Sequence, residues 1–159
     1  MKHRAFSLIE LIFVIIIIGV LSGISFYLSR PEYTQQDAQY TLLKLKEARY
    51  NAIGYDGLKD DQCVILSKES LSGGESPSHT IKSTIELSQV STSANPTLHT
   101  IANATVCFDS LGRVHEGNDI TLLSLVQSNS DIRFKNGDKN STVRLFSGTG
   151  YAIIESCNN

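Results

Sequence analysis

A dense block of apolar residues occupies positions 8–28, close to the start of the chain. Glu10 is the only charged residue in these 21 positions. As an α-helix, the block would be about 30 Å long, which matches the hydrocarbon core of a bilayer. The pattern therefore predicts a transmembrane helix near the N-terminus.

The short segment before this block is basic, with Lys2 and Arg4 on either side of His3. Basic residues stay on the cytoplasmic side, so the N-terminus is expected in the cytoplasm and the remainder is expected to be exported. A cleaved secretory signal peptide is the alternative. It is disfavoured because the apolar block exceeds the usual 7–15 residues and because no small-x-small cleavage site follows it.

The segment after the apolar block has the periodicity of an amphipathic helix that ends near Gly54, a typical residue just after a helix C-terminus. Pro31 cannot donate a backbone hydrogen bond, so we expect a kink or a break there. The apolar stripe that would face a core recurs at steps of three and four residues: Ala38, Leu42, Leu45, Ala48 or Arg49, and Ala52.

The rest of the chain alternates short apolar segments with segments rich in Gly, Pro, Ser and Asn. Short strands at nearly regular spacing favour antiparallel sheets, one face of which would pack on the helix. The predicted fold class is therefore α+β, with a long N-terminal helix packed on antiparallel β-sheets. The predicted strands are 62–67, 80–88, 100–108, 119–125, 131–134, 142–146 and 151–156.

Composition and motifs argue against catalysis. The chain has 159 residues and a formal net charge of −2, which gives no general attraction to nucleic acid or anionic lipid. His79, His99 and His115 are too far apart for a zinc motif, and no nucleophile–base pairing is indicated. We therefore expect neither an enzyme nor a metal or other cofactor.

Two further features involve smaller sites. Asn136, Asp138 and Asn140 alternate like the first calcium ligands of an EF-hand loop, but the closing Glu is missing, so an ordinary turn is favoured. Asn140 also lies in an N-x-[ST] sequon with an acid two residues before it, which resembles the extended bacterial glycosylation sequon.

Three cysteines, Cys63, Cys107 and Cys157, allow one disulfide and one free thiol in an oxidising compartment. A Cys107–Cys157 bridge is preferred, because it would attach the last strand near the C-terminus. Cys63–Cys107 is the second choice, and the absence of any pairing stays open.

The first 21 residues resemble the class III signal of the type IV pilin superfamily. A basic leader ending in "KHRA" is followed by "FSLIELIFVIIIIGVL". The resemblance implies that prepilin peptidase cuts between Ala5 and Phe6 and methylates the new amine of Phe6. Glu10 then becomes the fifth residue, where the superfamily has its glutamate. The superfamily usually has Gly before the cut, and this chain has Ala5, which is similarly small.

Cleavage would bring a positive amine close to the membrane, and an unpaired amine and carboxylate are both costly there. Subunits that stack with an axial shift can place Glu10 of one chain against the Phe6 amine of its neighbour. That pair would favour docking and set the register of the filament. The alternative is that Glu10 extends to the lipid headgroups.

Three later segments resemble a narrower group, the minor pseudopilins that include the H-type subunit of type II secretion and related type IV pilus minor pilins. The segments are "LLKLKEARYNAI", "VCFDSLGRV" and "VRLFSGTGYAII". Taken singly, Gly112, Gly148 and Gly150 are interpreted as turn residues and Arg113 as a solvated turn cation.

The resemblance implies a leader at 1–5, a transmembrane helix at 6–30 and a periplasmic α+β domain at 31–159. The expected function is a structural minor pseudopilin or pilin-like subunit, anchored in the inner membrane and assembled into a periplasmic filament for type II secretion or pilus biogenesis. Its expected partners are other pilin or pseudopilin subunits, prepilin peptidase and the inner membrane.

Two alternatives remain open. One is a DNA-binding component of a competence pseudopilus. The C-terminus lacks a basic tail, which argues against DNA as a partner. The cations that could still form a patch are Arg133, Lys135, Lys139 and Arg144. The other alternative is a signal-anchored periplasmic protein that never assembles.

Overall fold

The computed structural model describes residues 8–28, 32–54, 57, 59–72 and 79–155, with only the backbone described at 23–28 and 102. The chain divides into two compact units, Met1–Glu32 and Tyr33–Asn159. The first unit contains helix α1, Leu8–Leu28. Pro31 lies outside the described residues, so the predicted kink stays a prediction.

The second unit begins with helix α2, Tyr33–Ala52, which is followed by a short helix, α3, Lys68–Ser72. Single helical turns are formed by Asp60–Gln62 and Ala102–Ala104. The strands are β1 (Cys63–Ile65), β2 (Thr84–Leu87), β3 (Gln89–Val90), β4 (His99–Thr100), β5 (Thr105–Phe108), β6 (Val114–Glu116), β7 (Ser130–Asn136), β8 (Lys139–Leu145) and β9 (Ala152–Glu155).

These strands form a three-stranded sheet in the order β1-β5-β6, a four-stranded sheet in the order β2-β7-β8-β9, and the β3-β4 pair. Every paired strand is antiparallel. Helix α2 packs against strands of both larger sheets. The α+β prediction is therefore confirmed.

The core of the second unit lies between α2 and the two larger sheets. Ala38, Leu45, Ala48 and Ala52 of α2 are buried there, which confirms the predicted helix face. From the sheets come Val64, Val106, Phe108 and Val114, and Ile132, Phe134, Val143, Leu145 and Ala152. Burial of each large apolar side chain contributes roughly 1.5–3 kcal/mol.

The predicted strand at 119–125 is wrong, and the predicted strand at 100–108 is interrupted by the helical turn Ala102–Ala104. Residues 119–125 form mainly a hydrogen-bonded turn, in which Asp119 accepts hydrogen bonds from the backbone N–H of Thr121 at 3.0 Å and from its hydroxyl at 2.7 Å. Only Leu125 makes an isolated bridge, to His115 of β6. The leucines of this segment indicated a buried strand, but Leu122 and Leu123 are exposed.

Candidate functional site

The surface of α1 is the first candidate site. Its described side chains, from Leu8 to Ser22, are all exposed. Large apolar residues are exposed on every side of the helix, with Leu8 at 77% and Phe13 at 67%. A helix that is apolar all round normally lies inside a protein core or in lipid. Exposed in a single chain, it is a surface that lipid or another subunit would cover.

Glu10 lies in the first turn of α1. Near the other end of the described surface, the Ser22 hydroxyl donates a hydrogen bond to the Ile18 carbonyl at 2.7 Å, so its hydrogen-bonding need is met within the helix. Ala5 and Phe6 lie outside the described residues, so cleavage between them and methylation of Phe6 stay predictions.

The "DSLGR" segment forms a turn organised by the buried carboxylate of Asp109. One oxygen accepts from the backbone N–H of Leu111 at 3.0 Å and of Arg113 at 2.8 Å. The other accepts from the Arg113 guanidinium at 2.7 Å and lies 3.2 Å from Nε2 of His115. Burial raises the pKa of Asp109, but hydrogen bonds from Arg113 and His115 outweigh it and lower the pKa overall.

The interpretation of Arg113 as a freely solvated cation is therefore wrong. Its guanidinium also forms an ion pair with Asp109 at 2.7 Å. The sequence gives this carboxylate and guanidinium a separation of four residues but does not show that the turn folds them onto each other.

The three segments that resemble minor pseudopilins meet at one junction. Arg49 of α2 donates from Nε to the Thr149 carbonyl at 2.8 Å, and the Gly54 N–H donates to the Ser110 carbonyl at 3.1 Å. A Cβ at Gly150 would lie 2.0 Å from the Gly112 carbonyl oxygen. The end of α2, the 109–113 turn and the 147–150 turn are thus one packed structure.

The predicted Cys107–Cys157 bridge is wrong, because Cys107 forms its disulfide with Cys63, the second choice. The two cysteines are directly opposite each other on β1 and β5, with their Cα atoms 4.1 Å apart. The pairing depends on strand register, which residue spacing along the sequence does not reveal. Cys157 lies outside the described residues.

The three histidines lie in separate places. His79 contacts Asp37 at 2.6 Å, His99 contacts Glu116 at 2.8 Å, and His115 is buried beside Asp109. Among residues 8–28, 32–54, 57, 59–72 and 79–155, no cluster of metal-binding side chains is found.

Asn140 lies on β8, opposite Lys135 of β7, and its side chain is exposed. Gly137 and Asp138 form the two-residue turn between these strands, so the 136–140 segment is a β-hairpin end. The structure thus presents Asn140 at the surface, and its glycosylation stays a prediction.

The cations considered for DNA binding are interleaved with acids. Arg144 donates to both oxygens of Asp131, at 2.8 and 3.1 Å, and Lys135 pairs with Glu86 at 2.7 Å. The hydrogen bonds from Arg144 lower the pKa of Asp131. This face of the β2-β7-β8-β9 sheet is therefore balanced in charge rather than basic.

One buried polar site, at Asp37, was not predicted from the sequence. Asp37 of α2 is fully buried and accepts from the backbone N–H of Lys82 at 3.0 Å and of Ser83 at 2.8 Å, besides its contact with His79. Its position beside Ala38 on the apolar face of the predicted helix was the available signal, because a carboxylate there needs buried donors.

Comparison with known families bears on the N-terminal segment. Residues 1–26 match the family described as the prokaryotic N-terminal methylation motif. The chain carries a type IV pilin-like prepilin leader. This leader indicates a type IV pilin-like protein, and it implies processing by prepilin peptidase, association with pilin subunits and anchoring to a membrane.

The other two comparisons found nothing similar: no curated protein and no solved structure matches the chain. Among the residues that the structure describes, no helix has both the length and the hydropathy needed to cross a membrane.

Proposed function

We propose that the chain is a structural minor pseudopilin or pilin-like subunit of a periplasmic filament that serves type II secretion or type IV pilus biogenesis. Residues 6–30 would anchor it in the inner membrane as a single transmembrane helix. This segment is longer than Leu8–Ser22, the part of α1 whose side chains the structure describes. Residues 31–159 would lie in the periplasm, and the N-terminus would be cytoplasmic.

One observation carries this proposal: the leader motif opens a helix whose apolar side chains are exposed on all sides. Such a surface is unfavourable in water but suits a subunit that is first held in lipid and then packed against neighbouring helices. The second unit has a buried core of its own, formed by residues of α2 and the sheets.

Glu10 gives the proposed assembly a register. In a stack of axially shifted subunits, its carboxylate would pair with the methylated Phe6 amine of the adjacent chain. Such a pair forms only between subunits, and a buried charge is tolerated when its partner is in place. The charge-balanced face around Arg144 and Asp131 supports a structural role over DNA binding.

The leader is tested by measuring the intact mass of the full chain extracted from membranes of cells with and without prepilin peptidase. With the peptidase, the mass should correspond to a chain that begins at a methylated Phe6. Ser7→Ala should be processed normally, whereas Ala5→Trp, which puts a bulky side chain before the cut, should stay uncut.

Assembly is tested by asking whether the processed chain co-purifies with other pilin-like subunits in sheared filaments. Co-purification supports the proposal. Retention of Met1 despite the peptidase, or a start after Ser25, would instead identify an ordinary signal anchor or a secretory signal peptide.

A further inference from the structure

His99 connects two sheets of the globular unit, Tyr33–Asn159. It belongs to β4, which pairs with β3 in the two-stranded sheet. Its Nε2 atom lies 2.8 Å from a carboxylate oxygen of Glu116, which belongs to β6 of the three-stranded sheet. The side chain of His99 is 26% exposed and that of Glu116 is 11% exposed, so the contact is partly shielded from water.

Both ring nitrogens of His99 face oxygens that accept hydrogen bonds. Nδ1 lies 3.0 Å from the backbone carbonyl oxygen of Thr97, and Nε2 faces the Glu116 carboxylate. Neutral imidazole carries hydrogen on one nitrogen only, so it would leave a nitrogen lone pair facing one of these oxygens. The geometry therefore requires the imidazolium form, which donates from both nitrogens. The hydrogen bond with Glu116, and then that with Thr97, raise the pKa of His99, although burial opposes them.

The other two described histidines do not require a second hydrogen. His115 contacts the carboxylate of Asp109 with Nε2, but its Nδ1 lies 3.0 Å from the Ser124 hydroxyl, which can donate as well as accept. His79 contacts the Asp37 carboxylate with Nε2, and Nδ1 has no hydrogen-bond partner in the described part of the chain. Among these three histidines, only His99 has two acceptors that a neutral ring cannot satisfy.

The charges around His99 also favour its protonated form. His99, Glu116 and Asp119 line one cavity, and the other described residues that line it are uncharged. Hydrogen bonds from Thr121 lower the pKa of Asp119, so this carboxylate is ionised at neutral pH. The cavity therefore holds two acidic groups beside the His99 ring.

The other charged groups on the neighbouring strands are directed elsewhere. Arg113, at the start of β6, and His115, within it, both contact the carboxylate of Asp109. Strands β3 and β5 contain no charged residue. In the described elements packed around His99, the charged groups that line its cavity are thus both acidic.

The two halves of the segment that leads to β4 are held differently. Residues 91–94 are attached to the 123–127 segment by three backbone hydrogen bonds of 2.7–3.0 Å. Residues 95–100 are attached by the two-residue pairing of β3 with β4 and by the contact between His99 and Glu116. The second half therefore depends more strongly on the proton of His99 than the first half does.

We propose that His99 is a pH-sensitive clasp, which holds residues 95–100 against β6 as an imidazolium and releases them when it loses a proton. Release opens the cavity that this segment shares with Asp119 and the turn around it. The clasp uses no residue of α1 or of the leader motif, so it goes beyond the proposed function.

The direction of the pH response follows from the raised pKa of His99. A group with a raised pKa in the folded chain stabilises the fold fully below its unfolded pKa, and this contribution is lost as the pH rises through the folded pKa. The clasp is therefore closed in mildly acidic solution and open in alkaline solution.

The first test is ¹⁵N NMR of the histidine-labelled full chain in detergent, from about pH 5 to about pH 9. The His99 signals are identified by their loss in His99→Gln. They should show hydrogen on both nitrogens at about pH 6, and should change to a neutral ring at a higher pH than the histidines of the urea-unfolded chain. A neutral His99 ring at about pH 6, or titration at or below the pH seen for the unfolded chain, overturns the inference.

The second test is hydrogen exchange of the full chain in detergent at about pH 6 and about pH 8.5, with each rate divided by the intrinsic rate at that pH. The amides of residues 95–100 should open about threefold more often at the higher pH, as expected for one partly exposed hydrogen-bonded pair. The amides that attach residues 91–94 to the 123–127 segment should be unchanged, because backbone hydrogen bonds do not titrate.

Two variants assign the response to the clasp. Glutamine in His99→Gln is uncharged at both pH values, so residues 95–100 should open equally often at both, at the rate of the wild type at the higher pH. Leu98→Ala is the matched control, because Leu98 is 62% exposed in the same segment. This variant leaves the His99 ring and the Thr97 carbonyl in place, so it should keep the wild-type pH response.

The inference is also overturned if residues 95–100 of the wild type open equally often at both pH values, or if their pH response persists in His99→Gln. Neither measurement depends on leader processing or on filament assembly, so this inference and the proposed function fail separately.

Discussion

Asp37 shows how one residue connects the long helix of the globular unit to the sheet region. Its carboxylate is fully buried and accepts hydrogen bonds from two successive backbone N–H groups, at Lys82 and Ser83. These N–H groups precede β2, so Asp37 fixes the approach of that strand to α2. A buried carboxylate that accepts this many hydrogen bonds is needed for the stability of the fold, unlike a charge exposed on the surface.

Replacing Asp37 should therefore destabilise the globular unit. Asp37→Ala leaves two backbone donors without their acceptor, and each unsatisfied buried donor costs about 1–3 kcal/mol. Asp37→Asn keeps one acceptor oxygen and should lose less. The free energy of unfolding is measured by urea denaturation of the full chain in detergent, with tyrosine fluorescence as the signal.

Gln36→Ala is the matched control for this measurement, because the Gln36 side chain, next to Asp37 in the sequence, is exposed. This variant should change the free energy of unfolding by no more than about 0.5 kcal/mol. Equal stability of Asp37→Ala and Gln36→Ala would show that Asp37 does not hold β2 against the helix.

At the scale of elements, the two glycines of the "SGTG" turn have different requirements. Gly150 has a φ of +60°, and a Cβ there would lie 2.0 Å from the Gly112 carbonyl oxygen. Gly148 has open space around it. The sequence identifies both as turn residues, but only the packing of two turns against each other separates them.

Gly150→Ala should thus destabilise the chain by about 3 kcal/mol or more, from left-handed backbone strain together with overpacking. Gly148→Ala should change the free energy of unfolding by no more than about 0.5 kcal/mol. The same denaturation assay compares the two variants, and similar losses for both would contradict the packed junction of the 109–113 and 147–150 turns.

The disulfide connects β1 to β5 across a sequence separation of 44 residues. Replacing both Cys63 and Cys107 with Ser should lower the free energy of unfolding by about 2–4 kcal/mol, because the unfolded chain gains freedom. Cys157→Ser, the control, should have little effect.

Non-reducing peptide mapping of the full chain gives a direct check of this pairing. It should yield a peptide that joins Cys63 to Cys107. A peptide that joins Cys107 to Cys157 would contradict the strand register seen here.

Prediction at this scale was accurate where a pattern was local. The helix face of α2 and most strands followed from residue spacing, since burial on one side of an element leaves a regular signal. Strand β6 was not predicted, because it has only three residues and because the buried His115 is a polar residue type that gives no apolar signal. The leucines of the 119–125 segment indicated burial, but Leu122 and Leu123 are exposed on a turn.

For the whole molecule, the sequence separated two units with different surfaces. The leader and apolar block were recognisable because membrane length and a short specific motif are encoded in consecutive residues. The junction of α2 with the two turns and the cysteine pairing were not predictable, because they depend on contacts between residues far apart in sequence. The three segments that resemble minor pseudopilins lie apart in the sequence, and only the folded structure shows that they pack together.

We propose that α1 assembles subunits through Glu10, and the Glu10→Val variant removes the carboxylate on which this assembly depends. Valine should not impair membrane insertion, because removing a carboxylate from the apolar helix favours insertion. Folding of the globular unit should be unchanged, since its core is built from residues 38–152 and none of the described side chains of Leu8–Ser22 belongs to it. Incorporation into filaments should fall strongly, because breaking one partner of a buried ion pair costs about 3–5 kcal/mol.

The measurement is the amount of each variant that co-purifies with sheared filaments or partner subunits, divided by its level in the inner membrane. Ile9→Val is the control on the same helix and should assemble normally, while Glu10→Asp should be intermediate, because its carboxylate has a shorter reach. Loss of Glu10→Val from filaments at a normal membrane level is the predicted result. Incorporation of Glu10→Val equal to that of the wild type, at equal membrane level, would contradict assembly through Glu10.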